Sequence, residues 1–152
     1  RKLFYQYSIV AALNAFESGN TSSARGYIEQ SRLWPENLGS GRPYDPDERI
    51  ADYMTAYVAS VEDEVDRKKT RLQKVVDYDA TLDATIVLQL LAARQLGDNA
   101  AYARLRARAM SEANEAAKWA IGKADAFDEI DQVDVVELIR QLLLEMGVSG
   151  IN

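Results

Sequence analysis

At 152 residues the chain is long enough to build one domain around a real core. Its net charge is -6, with Lys and Arg interleaved among acids as in Glu62 to Arg71, which argues against a nucleic-acid partner because phosphate binding needs clustered cations. Cysteine is absent, excluding disulfides and thiolate metal sites, and no stretch approaches the roughly 18 consecutive apolar residues of a membrane span.

Leu3, Phe4, Tyr7, Val10, Ala11 and Ala15 recur at three- and four-residue steps, which predicts an amphipathic first helix. Gly19-Asn20 stops it, since Gly enters the left-handed C-terminal conformation at little cost. Thr21 or Ser22 then caps a second helix reaching about Trp34, and Pro35 closes it. So short a turn makes the two helices antiparallel neighbours. Pro35, Pro43 and Pro46, with Gly39 and Gly41 between them, rule out regular structure over the next dozen or so residues. Asp45 or Asp47 caps a third helix through Ile50, Tyr53, Met54, Tyr57, Val58 and Val61, and a fourth follows from about Asp63 to Val76. Asp79 and Thr81 offer caps for a fifth helix from Leu82 to Leu96, which Gly97-Asp98 ends. The Ala- and Arg-rich run from Asn99 to about Ile121 predicts one long helix. An acidic connection from Gly122 to Asp131 leads to a last amphipathic helix carrying Val133, Val136, Ile139, Leu142, Leu143 and Met146, closed by Gly147. No strand is predicted.

The turns repeat. From Asp63 to Gly97 the step is 34 residues, the tetratricopeptide period. From Gly19 to Asp63 it is 44, one period plus an insertion of ten that the proline-rich loop supplies. The small residues that let paired helices approach closely are best placed in the first unit, at Ser8, Ala11, Ala12, Ala15 and Ala24. The second unit carries Lys68 and the third Tyr102 and Arg106 where small interior residues belong, so the array is degenerate. The predicted fold is all-α: antiparallel helix pairs stacked as a tetratricopeptide-like α-solenoid with units about 3–35, 46–77 and 81–121. A capping helix at about 132–147 is expected to cover the last unit's apolar face. The opening Arg1-Lys2-Leu3 has no Met and enters a helical pattern directly, predicting a fragment of a longer protein. Its compartment leans cytoplasmic.

The run Trp34-Pro-Glu-Asn-Leu-Gly-Ser-Gly-Arg-Pro-Tyr-Asp-Pro-Asp-Glu-Arg49 resembles a loop of one large bacterial family, found in Bacteroidota and relatives. Those proteins pair an N-terminal β-rich domain of unknown function with a C-terminal tetratricopeptide region carrying a near-identical loop. The likeness covers about Leu3 to Val76 and is generic helical repeat beyond. It implies a helical-repeat fold and a partnership with an N-terminal domain.

Two places are candidates for binding. In the loop, Gly39 and Gly41 could turn backbone N–H groups together near Arg42 as an anion-binding nest, with Asn37 and Tyr44 beside them. The plainer reading has Asn37 capping and Leu38 plugging the core. The second place is the groove that the first helix of each pair would line, showing Leu13, Phe16, Tyr53, Tyr57, Leu91 and Arg94 to a peptide or a neighbouring domain. The plainer reading buries these side chains.

No cofactor or metal is expected. Asp125, Asp128, Glu129, Asp131 and Asp134 lack the spacing and Gly of a calcium loop, and sit where they could cap the last helix. The chain has no His, so no triad base, and neither a phosphate loop nor a dinucleotide fingerprint appears. The predicted function is a non-catalytic interaction or intramolecular scaffold module, partnered by its own N-terminal domain or another protein or peptide. The alternative is an accessory helical domain bracing a carbohydrate-active enzyme.

Overall fold

The computed structural model describes residues 2–31, 48–79, 82–112, 114–127 and 134–148. These form helices α1 (Lys2–Glu17), α2 (Thr21–Ser31), α3 (Arg49–Val61), α4 (Val65–Asp77), α5 (Ile86–Leu96), α6 (Asn99–Glu112), α7 (Glu115–Ala126) and α8 (Val135–Glu145). Among the described residues there is no strand, and the chain is all-α. Helices pack in consecutive pairs, α1 with α2, α3 with α4, and α5 with α6. Each pair also packs on the next, α2 against α3 and α4 against α5.

One local device makes all three pairs. The helix ends on a left-handed residue, Gly19 (φ +75°), Asp63 (φ +58°) or Gly97 (φ +71°). The following N–H then reaches back five residues, Asn20 to Ala15 O at 2.9 Å, Glu64 to Ala59 O at 2.8 Å and Asp98 to Ala93 O at 2.9 Å. These bonds satisfy carbonyls that the helix end leaves open. In the first and third turns the next residue doubles as the cap of the second helix. Asn20 Oδ1 accepts from Ser23 N at 3.0 Å, and Asp98 Oδ1 from Ala101 N at 3.0 Å. Asn20 therefore does the work anticipated for Thr21 or Ser22, because a side chain just before the first turn is the one placed to accept from the N3 amide.

The second turn differs on both counts. A non-Gly residue holds the left-handed position, and Glu64 makes no side-chain cap bond. Asp63→Gly should therefore raise stability by about 0.5 kcal/mol, the steric cost of a side chain in that region less the entropy that Gly adds to the unfolded chain. A urea melt at constant m-value measures it.

Beyond the third pair the structure departs from expectation. The run Asn99 to Ile121 is two helices, because Asn114 leaves the helical conformation (φ -95°, ψ 168°) and accepts from Ala117 N at 2.7 Å. α7 thus starts at Glu115 and runs through Gly122 to Ala126, taking in half of the anticipated acidic connection. Asn114→Ala should cost about 1 kcal/mol, the usual loss for an N-cap, read as a lowered thermal midpoint. Similarly, α5 begins at Ile86 rather than Leu82: Asp83 Oδ1 accepts from Thr85 N at 2.9 Å, holding 83–85 in a turn.

The role given to the last helix passes to another. α7 packs on both α5 and α6. α8 lies across α1 and α3, with Met146 Sδ 3.6 Å from Thr85 Oγ1 at the head of α5. Its apolar set, Val135, Leu138, Ile139, Leu142 and Leu143, is buried on that face. At about 1.5–3 kcal/mol per fully buried side chain, five such residues favour a broad seat over a solvent-facing end. No described helix is long and apolar enough to cross a membrane.

Candidate interaction face

Of the six groove residues the structure buries Leu13, Tyr53 and Leu91 and half-buries Phe16, Tyr57 and Arg94. Leu13 and Leu91 have no exposed surface and Tyr53 has 2 %. Phe16 of α1 meets Tyr57 of α3 edge-on, ring centroids 5.3 Å apart at 76°, and both rings are half-buried. Gln95 of α5 donates to the Tyr53 hydroxyl at 3.2 Å. Burial pushes that phenol well above its ordinary range, and the Gln95 bond offsets this only in part. Arg94 of α5 donates to Ala124 O of α7 at 2.9 Å. The row therefore runs α1, α3, α5, α7, each helix tied to the next by a predicted groove residue.

A first helix with one stripe open to a ligand would show an exposed residue every turn. α3 buries every residue from Arg49 to Ala56, and α5 every residue from Ile86 to Ala93. These two stretches are core, while Phe16, Tyr57 and Arg94 keep part of their surface in solvent. The loop residues Asn37, Gly39, Gly41, Arg42 and Tyr44 lie outside the described residues, as do Asp128, Glu129 and Asp131 of the acidic cluster.

Two buried arginines were missed by the sequence reading. Arg49, 2 % exposed at the head of α3, donates to Gln89 Oε1 at 3.0 Å and to Asp83 Oδ1 at 3.1 Å. Its guanidinium carbon stands 5.2 Å from the centre of the Tyr78 ring. Gln89 in turn donates to Val76 O at 3.3 Å and Tyr78 O at 2.9 Å, satisfying the end of α4. One polar cluster thereby joins α3, α4 and the start of α5. The sequence signal was position: Arg49 is the last residue of the motif-bearing run.

Arg140, 6 % exposed, is the second. Its Nη2 donates to Asn14 Oδ1 at 3.0 Å and pairs with the Glu17 carboxylate, joining α8 to the far end of the sequence. Nε and Nη1 are buried without a hydrogen-bond partner. Here the signal was a lone cation inside an apolar helical run.

Several other charges pair between helices. Arg71 pairs with Asp52 at 2.9 Å between α4 and α3. A small groove lined by Arg25, Ile28, Glu29, Thr55, Val58 and Arg67 lies between α2, α3 and α4. Its cations meet this chain's own acids, Arg25 with Glu62 and Glu64, and Arg67 with Glu64. Tyr102 and Arg106, the misfits of the third unit, face α7: the Tyr102 hydroxyl donates to Asp125 Oδ1 at 2.8 Å and Arg106 Nη2 to Oδ2 at 2.6 Å. The Arg106 bonds hold the Asp125 carboxyl below the usual carboxylate range. Asp134 caps α8 through Glu137 N at 3.1 Å. Among the described residues no three acids gather as a metal site. Comparison with known families, curated proteins and solved structures finds no match to the chain.

Proposed function

We propose that the chain is a tetratricopeptide-type helical scaffold module that works by holding protein surfaces and has no catalytic role of its own. The observation that carries this reading is the recurrence of one left-handed turn at Asp63 and Gly97, 34 residues apart, with the same turn at Gly19 one insertion earlier. Stacking of pair on pair, and the row of ties along the first helices, support the solenoid arrangement. Buried polar groups that join helices, rather than converge on a cavity, support the non-catalytic part.

Burial of Leu13, Tyr53 and Leu91 shifts the reading toward a scaffold whose first-helix face is largely filled from within, its partner met on other surfaces or by its own neighbouring domain. Affinity capture from the source organism, run beside turnover assays on the purified chain with glycoside, ester and peptide substrates, tests it. Stoichiometric retention of one protein without turnover is the expected result. Turnover by the purified chain, at a rate above 10⁶-fold over water on the scale of ordinary enzymes, would contradict it.

A further inference from the structure

α8 is held differently from the helices it covers. α3 and α5 are built into the row from several sides, whereas α8 packs on α1 and α3 after a return across the chain, and Arg140 reaches partners 123 and 126 positions away. Its apolar side chains are well seated, yet the charged group at the centre of that seat is only partly met. Arg140 is paired through Nη2 alone, to a glutamate that is itself 57 % exposed, while Nε and Nη1 are buried and unbonded. Taking a guanidinium out of water costs several kcal/mol, recovered only when its donors are satisfied, so this seat is weaker than its apolar area suggests. Arg49 is the contrast: two side-chain acceptors and an aromatic face meet it in the core. Leu144 and Met146, near the end of α8, stand 55 % and 37 % exposed.

We infer that α8 is a detachable strap that opens as a unit from the α1–α3 face while α3, α4 and α5 stay folded. This deepens the scaffold reading, since the strap is then the chain's own occupant of the first-helix face and sets when that face is open. Its opening is read without any partner, so it can fail while the scaffold reading stands, and the reverse.

Hydrogen exchange of the whole chain, resolved by helix at low urea concentrations, tests it. The α8 amides should exchange through an opening about tenfold or more frequent than that of α3 and α5, with a smaller dependence on urea. Glu17→Gln removes the counter-charge and should speed α8 about tenfold further, leaving α3 and α5 unchanged. Arg140→Met replaces the unmet donors by an apolar chain of similar length and should slow it. An α8 that exchanges with α3 and α5, all three moving together in both variants, overturns the strap. So does a fast α8 indifferent to both substitutions.

Discussion

Ala24→Asp is expected to abolish the cooperative folding transition. Ala24 has no exposed surface, and its helix α2 packs on both α1 and α3. A carboxylate there would be buried without a cationic partner or would force the helices apart, at a cost of several kcal/mol. Since domains of this size are stable by only about 5–15 kcal/mol, one such change removes most of the margin. Far-UV circular dichroism on heating reads the result. Ala24→Gly is the control, expected to lose only about 1 kcal/mol and to melt cooperatively. A variant with aspartate that melts with the parent would place Ala24 on the surface and dissolve the first helix pair.

Arg49→Ala has the second-largest effect, about 3 kcal/mol. The change removes a long side chain from a fully packed site and leaves Gln89 Oε1 buried without its donor. It also strips Asp83 of the charge that faces it, although Asp83 is 43 % exposed and water recovers part of that loss. Because the cluster links α3, α4 and the start of α5, the loss should fall on the whole transition rather than on one fraying end. Urea unfolding measures it. Arg49→Met should recover part of the stability, since it returns a long apolar chain to the site and leaves the Gln89 bonds to Val76 O and Tyr78 O in place. A methionine variant as weak as Arg49→Ala would show that the lost polar contacts, and not packing, set the effect.

How far the fold could be read from residues follows from how local each feature is. The first five helices were legible because three- and four-residue apolar spacing is a property of a single turn, and because Gly19 and Gly97 mark the left-handed stops. The break at Asn114 was hidden inside an Ala-rich run. Asn is merely a middling helix former, and its cap bond to Ala117 N exists only once the chain has already turned. The seat of α8 was illegible for a different reason: periodicity reveals that a helix has an apolar face but not which distant face it meets. The same limit applies to the groove, of which Leu13, Tyr53 and Leu91 are buried and Phe16, Tyr57 and Arg94 half-buried. Phe16, Tyr53 and Tyr57 read equally well as an open aromatic stripe or as core, and the helices packing α3 from several sides bury Tyr53 fully but the other two rings only in part. Tyr102 and Arg106 looked like flaws in a repeat until Asp125 of α7 gave them a partner.

Arg140 and Glu17 close α8 back onto α1. A double-mutant cycle on Glu17→Gln and Arg140→Met, measured by urea unfolding, tests that contact most directly. The two changes should be strongly non-additive, with a coupling of about 1–2 kcal/mol, as residues in direct contact show. Additive effects, as found for residues more than about 7–10 Å apart, would mean that α8 does not lie on α1.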